Sequence, residues 1–416
     1  MSSPAIFEYV AAVVGRYDQA VGKTEKSKIL DEICATTGVH RKHALRLLRK
    51  VRLAAPSKSG KDKRGRKPFY RSPDLLKALR AIWRAGNFPC SKRLKAMLPV
   101  WLPHYEARYG PLDKEDKTRI LSVSATTMDR LLKRARSGLT LHGRCTTKPG
   151  TLLRDKIPVC TGQWEERRLG FIEADTVAHC GETTEGKYVL TLDCVDVASG
   201  WSEQRAVWGK TDTVVARRMH EIEKAFPFPI KGFDSDNGCE FLNHKLFRYF
   251  VDRKQPVIFT RSRAYKKNDN AHIEQKNWTH VRQWLGYDRL EHEELVAAIN
   301  DLYANEWRLY HNFFNPSAKL LTKERVGSKT RKKYDKPKTP YQRLTESDEL
   351  TEYTKAQLAK IFDNTDPFVL LDHMKRKLKK VFKLSAKLKL EDKGKAASVT
   401  SNSEATIPPD QPFGNM

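Results

Sequence analysis

The sequence predicts a multidomain protein. An all-α N-terminal region with helix-turn-helix spacing is followed by an α/β domain whose mixed sheet is layered with helices, and then by a basic C-terminal region. Three observations carry this expectation. The chain has 416 residues, 39% of them hydrophobic, enough for more than one core. Its apolar period is helical before Thr140 and becomes that of strands after Trp164. Lys and Arg number 78 against 50 Asp and Glu, a formal charge of +28, which points to a polyanionic partner and first of all to nucleic acid.

An acidic membrane surface is the lesser alternative, because it would need a lipid anchor or a dominant basic amphipathic helix. The apolar stretch from Ala5 to Val14 is interrupted by Glu8, is too short to span a bilayer and follows no basic segment. The expected partner is therefore not a membrane, and the expected location is cytoplasmic, on the nucleoid. Seven cysteines (Cys34, Cys90, Cys145, Cys160, Cys180, Cys194, Cys239) are scattered without a CxxC pair, which supports neither a disulfide framework nor a zinc finger.

Within residues 1–55, the run from Lys23 to Arg52 reads as helix, Gly38-containing turn and helix, a helix-turn-helix spacing. Arg41, Lys42 and Arg46 stand on the second helix as candidate DNA contacts. Residues 56–72 form a basic linker in which Arg64-Gly65-Arg66 resembles a minor-groove hook but Lys67 interrupts the usual Arg-Gly-Arg-Pro; Arg64, Arg66 and Lys67 are candidate DNA contacts, with a flexible linker as the plainer reading. Residues 73–138 read as a second helical DNA-binding region. Leu75, Leu76, Leu79 and Ile82 fall at helical spacing, a helix from Ser91 is stopped by Pro99, and a third helix spans Thr126 to Ala135, capped by Ser124 or Thr126.

In residues 165–316 three strands are expected in succession, Gly170 to Val177, Lys187 to Val195 and Trp201 to Val207. A helix bearing Val215, Met219 and Ile222 follows, then a short strand ending at Asp236, a helix near His244 to Arg253 and a strand from Pro256 to Thr260. Helices from Asp269 to Leu285 and from His292 to Tyr310 complete the domain. Strands first, then strand alternating with helix, imply a sheet mixing antiparallel and parallel pairs. Residues 317–390 are basic and partly helical, and the helix from Lys375 to Leu390 could lie on DNA or on a membrane surface. Residues 391–416 read as a disordered tail.

Three acidic positions strain a purely structural explanation. Glu173 and Asp175 share one face of an otherwise apolar strand, and a buried sheet rarely accepts two carboxylates without a cation. Asp236 ends a strand before an Asn-Gly turn, where open α/β sheets gather ligands. Glu274 sits in the early turns of a helix, bordering the stripe of Asn277, Val281 and Leu285, so it should face the sheet. Each alone could be a cap, a turn residue or a surface charge. His179, His272 and Asp193 are nearby ionisable alternatives.

Together, Asp175, the run Ser-Asp-Asn-Gly-x-Glu-Phe around Asp236 and the run Asn-Asp-Asn-Ala-His-Ile-Glu-Gln-Lys-Asn ending in a Glu-x-x-Asn step resemble the catalytic core of bacterial insertion-sequence DDE transposases and retroviral integrases. Thirty-seven residues separate Asp236 from Glu274, and Asp269 is the nearest rival for the third carboxylate. The zinc-binding N-terminal module of retroviral integrases has no counterpart in the cysteine spacing. The resemblance, over about Arg167 to Pro316, implies a ribonuclease H-like fold in which Asp175, Asp236 and Glu274 converge as catalytic and metal-binding residues. Two Mg²⁺ or Mn²⁺ ions would suit phosphodiester transfer, with Asp175 bridging and Asp236 and Glu274 on one metal each.

The implied function is a DNA transposase that binds the inverted repeats at an element's ends and cleaves and joins strands into target DNA, as a homo-oligomer on DNA. Arg261, Arg263, Lys266, Lys267 and Lys276 flank the glutamate helix as candidate phosphate contacts. The competing readings are a helix-turn-helix regulator with an inactive integrase-like core, and a ribonuclease H-like nuclease or resolvase that hydrolyses without joining.

Overall fold

Apolar residues at helical spacing build three helices at the start of the chain: α1 (Ser3–Gln19), α2 (Gly22–Thr37) and α3 (Arg41–Ala54). The computed structural model describes residues 1–54, 69–70, 72–136, 168–235, 238, 240–261, 271–326 and 328–404. It divides into two compact units, Met1–Phe69 and Tyr70–Met416. In the first, Val10 and Val13 of α1 meet Leu30 and Ile33 of α2 and Ala44, Leu48 and Val51 of α3 in a core of their own. Gly38 ends α2 at φ 71°, a left-handed conformation that costs glycine no Cβ clash and turns the chain within three residues into α3.

The second unit begins with α4 (Pro73–Ala85), α5 (Ser91–Tyr109), α6 (Lys114–Ser122) and α7 (Ala125–Arg136). The expected stop at Pro99 does not occur, and α5 runs through Pro99 and Pro103. Each proline removes one backbone donor, but Leu94, Met97, Leu98, Trp101, Leu102 and Tyr105 are all buried, and burial of that stripe outweighs the lost bonds. The cap of α7 is Ser124, whose Oγ accepts the Thr127 N–H at 3.2 Å.

The sheet consists of β1 (Phe171–Ala178), β2 (Val189–Asp196), β3 (Ser202–Trp208), β4 (Gly232–Ser235) and β5 (Ile258–Arg261), in the order β3-β2-β1-β4-β5. β1 pairs antiparallel with β2, and β2 with β3, whereas β4 runs parallel to β1 and β5 parallel to β4. The antiparallel strands need only short turns; β4 and β5 are reached through the helical crossovers α8 (Asp212–Ala225) and α9 (His244–Val251). Phe233 of β4 stacks on Phe250 of α9 at 4.5 Å between ring centroids, and Cys194 of β2 meets Met219 of α8, so these helices cover one face.

The other face is covered by α10 (Ala271–Lys276), which continues as a π-helical turn Asn277–Arg282 into α11 (Gln283–Leu285). Further on, α12 (Leu295–Leu302), a second π-helical turn Tyr303–Trp307 and α13 (Arg308–Phe314) form one continuous run. The opening helices pack into this same core instead of standing apart as residues 73–138 were expected to. Trp101 Nε1 donates to the Phe314 carbonyl at 3.0 Å, and Arg93 Nε to the Pro316 carbonyl at 2.6 Å.

Beyond the sheet, β6 (Leu320–Val326) and β7 (Lys329–Tyr334) form a two-stranded antiparallel ribbon that the sequence pattern does not announce. Helices α14 (Pro340–Thr345), α15 (Glu352–Asp363) and α16 (Pro367–Glu404) follow. The last continues past Glu391, where a disordered tail was expected, and residues 405–416 lie outside the described residues. Among the described residues no helix is long and apolar enough to cross a membrane.

Candidate active site

The pleat of β1 sets Glu173 and Asp175 on the face that α10 covers. Glu173 is 2% exposed, and its Oε2 accepts the Ile273 N–H at 3.1 Å in the first turn of α10. A carboxylate there meets the orphan donors and positive end of a helix, so Glu173 needs no cation and fastens α10 to the sheet. Asp175 is half-buried. Its Oδ2 accepts from Asn277 Nδ2 at 2.6 Å, and its Oδ1 accepts the Thr176 N–H at 2.7 Å.

Glu274 lies one turn before Asn277 and is exposed, and Asn277 hydrogen-bonds Asp175. Asp236 lies outside the described residues, as does Asp269. Ser235, which precedes Asp236 in the chain, is the parallel register partner of Ala174, which precedes Asp175. Among the described residues no group of three or more His, Cys, Asp or Glu is arranged to hold a metal ion.

Beneath Asp175 the sheet face is polar and buried. Asp193, the cross-strand partner of Asp175, is fully buried, and Gln204 Nε2 donates to its Oδ1 at 2.8 Å. Burial raises its pKa to about 7, against the opposing pull of Gln204 and Lys276. Lys276 corrects an expectation. It is not a surface phosphate contact but 7% exposed, with Nζ donating to the Gly200 carbonyl at 3.1 Å and lying 3.2 Å from His280 Nε2. Burial lowers its pKa to about 7, and Asp193 opposes that shift.

His280 and His311 stack at 3.9 Å between ring centroids, and burial holds both well below the ordinary imidazole range. His179 is fully buried, with Nε2 2.9 Å from Thr191 Oγ1, and burial and then Arg282 bring its pKa to about 3. His179 and Asp193 thus belong to the packing beneath the site. The side chain of His272 lies outside the described residues.

Two supports went unread in the sequence. Asn277 was legible as the last residue of the Glu-x-x-Asn step, three positions after Glu274 on one helix face. Glu240, in the run around Asp236, is 3% exposed and accepts from Thr176 Oγ1 at 2.6 Å and Lys210 Nζ at 3.3 Å. Burial works to raise its pKa, but the Thr176 hydroxyl and Lys210 ammonium outweigh it and hold the carboxyl below its usual range.

Of the basic candidates, Arg261 is 9% exposed. Its register with Ser235, and that of Ser235 with Ala174, assign it to the sheet face opposite Asp175. Arg263, Lys266, Lys267, Arg64, Arg66 and Lys67 lie outside the described residues. On α3, Lys42 and Arg46 are exposed together with Arg49, whereas Arg41 is engaged by Asp31 and donates to Ser27 Oγ at 2.6 Å.

No family model matches the chain. Among solved structures it is similar to the catalytic core domain of BIV integrase, at 16% identity and a TM-score of 0.26 over 43% of this chain and 96% of that one, a likeness too slight to bear on fold or function. It is also similar to the uncharacterised protein y4rM of Sinorhizobium fredii (strain NBRC 101917 / NGR234), 40% identical over 339 residues. That alignment spans 81% of this chain and 94% of the relative, and the chain therefore belongs to the family of Sinorhizobium fredii y4rM.

Proposed function

We propose that this chain is a DNA transposase of the DDE/integrase type, with Asp175, Asp236 and Glu274 as its catalytic carboxylates on a ribonuclease H-like core. One arrangement carries the reading. Asp175, on the central strand of a β3-β2-β1-β4-β5 sheet, is tied through Asn277 to the helix bearing Glu274, while Asp236 follows the strand parallel to β1. The strand order is compatible with the ribonuclease H-like core that the sequence resemblance implies, and it owes nothing to the motifs.

The donor set is oxygen only, which suits hard divalent cations such as Mg²⁺ or Mn²⁺, and the half-buried Asp175 leaves its carboxylate within reach of solvent. When bound, two such ions would supply an activated hydroxyl and stabilise the departing oxygen. The chain's own residues do the positioning. Asn277 and the Thr176 N–H fix the rotation of the Asp175 carboxylate, and Glu173 fixes where α10 begins. Water attack on the phosphodiester at an element end breaks its P–O3′ bond and frees a 3′-hydroxyl, and that hydroxyl then attacks a target phosphodiester in line, breaking its P–O3′ bond and releasing the target strand's 3′-hydroxyl.

The partner is DNA, supported by the charge of +28 and the exposed Lys42, Arg46 and Arg49 of α3; the protein works in the cytoplasm as a homo-oligomer on paired element ends. The test is nicking of element-end DNA by purified protein in a metal series. Mg²⁺ and Mn²⁺ should support cleavage and joining, and Ca²⁺ binding with little product. Binding without cutting in every metal would point to a regulator instead, and cutting without joining to a nuclease.

A further inference from the structure

The β6–β7 ribbon serves no visible purpose in the fold. Over residues 320–334 it carries six basic residues and one acidic. Thr322, Glu324, Arg325, Thr330, Arg331, Lys332 and Lys333 are all exposed, which leaves side chains of both faces in solvent. An isolated two-stranded ribbon is at best marginally stable, so it has to be held from its base. That base is clamped. The Lys319 N–H donates to Asp335 Oδ1 at 2.7 Å, Arg343 pairs with Asp335 Oδ2 at 2.7 Å, and Arg343 Nη2 donates to the Ser317 carbonyl at 2.9 Å. A bridge between Ser317 and Lys338 closes the clamp.

An arm clamped at its base, whose described side chains from Leu321 to Tyr334 are exposed and which concentrates positive charge, has a surface suited to a polyanion. Among the described residues no ion pair is formed by Arg331, Lys332 or Lys333, and the ribbon's one acid, Glu324, is the cross-strand partner of Arg331. The arm also has the right form. A seven-residue strand extends roughly 20 Å, and a two-stranded ribbon fits the B-DNA major groove, about 12 Å wide. A membrane is the poorer occupant, because the large apolar residues exposed among the described side chains of the ribbon, Leu321 and Tyr334, lie toward its base.

We infer that the β6–β7 ribbon is a DNA-binding arm that enters the major groove of a duplex and contacts its phosphates through Arg331, Lys332 and Lys333. The inference rests on DNA as the partner of this chain but not on the catalytic assignment. Since the contacts are to phosphate, they grip any sequence, and they add to affinity and salt dependence, not to recognition of element ends.

The experiment compares the full chain with the triple variant Arg331→Ala, Lys332→Ala, Lys333→Ala by fluorescence anisotropy on a labelled duplex of random sequence over a salt series. Each phosphate contact contributes about 0.9 to the slope of log K against log salt, so the variant's slope should be shallower by roughly 2.7 and its affinity at about 0.1 M salt lower by at least tenfold. A second variant, Glu324→Gln, removes the ribbon's one acid and should tighten binding, an outcome misfolding cannot mimic. If the full chain binds duplex and the triple variant binds with the same affinity and slope, the ribbon does not touch DNA, and the wider reading stands without it. If the full chain binds no duplex at all, both fall. Loss of binding to phosphatidylglycerol vesicles, with duplex binding intact, would assign the arm to a membrane and overturn the inference.

Discussion

Asp175 and Asn277 are joined by one hydrogen bond, and that bond makes the first prediction. Asn277→Ala frees the Asp175 carboxylate to rotate while leaving every carboxylate in place. Loss of such an orienting partner typically costs about 10–100-fold in activity or metal affinity. Cleavage should fall by that factor, with the apparent Mg²⁺ requirement shifted upward and end-DNA affinity unchanged. Asp175 stood out in the sequence as a carboxylate on an otherwise apolar strand, where packing alone would not select a charge, whereas the exposed Glu274 was singled out by its place in the Glu-x-x-Asn step. Lys276 was not legible. Whether a lysine on a helix meets solvent or a buried acid depends on what lies across the sheet, and Asp193 is 83 positions away in sequence.

His179 makes a prediction of opposite character, concerning stability. Its pKa falls from the ordinary 6.5 to about 3 because burial disfavours the imidazolium. The unfolded chain therefore binds more protons than the folded one between these values. The stabilising contribution is fully present above pH 6.5 and is lost as pH falls toward 3, at roughly 1.4 kcal/mol per pH unit. His179→Gln should flatten the dependence of unfolding free energy on pH by about that slope over pH 4 to 6, measured by denaturant titration. An unchanged slope would mean that His179 is accessible to protonation in the folded state.

At the scale of elements, the three antiparallel strands were readable from alternation of β-branched and polar residues, within two residues at each end. Helix α5 was cut short at Pro99 because a local rule, the missing donor, met a tertiary gain it could not see. The ribbon left no signal, since strands exposed on both faces lack the apolar alternation by which strands are recognised. The stripe that carries α5 past its prolines is centred on Trp101, fully buried against Tyr310, Phe314 and Phe368. Trp101→Ala should cost about 3–5 kcal/mol in the unfolding of the second unit, because a large cavity opens where helices meet the sheet domain. A change under 1 kcal/mol would show that α4–α7 do not share its core.

The whole molecule is two compact units bearing a large positive charge, and charge alone predicts affinity for DNA without predicting which DNA. Division of labour follows from the surfaces. The proposed DNA-reading role of α3, on which Lys42 and Arg46 are exposed, predicts that Lys42→Ala with Arg46→Ala erodes the preference for element ends over random duplex. The ribbon variant should weaken both equally. The central claim is chemical, however, and is tested most directly by strand transfer of a labelled, pre-cleaved element end into a target plasmid with Mg²⁺, comparing the parent chain with Asp175→Asn and Glu274→Gln. The account predicts joined product from the parent, at least 10²-fold less from either variant, and near-equal binding of the end by all three. Joining by Glu274→Gln at the parent's rate, or no joining by a parent that binds the end tightly, would contradict it.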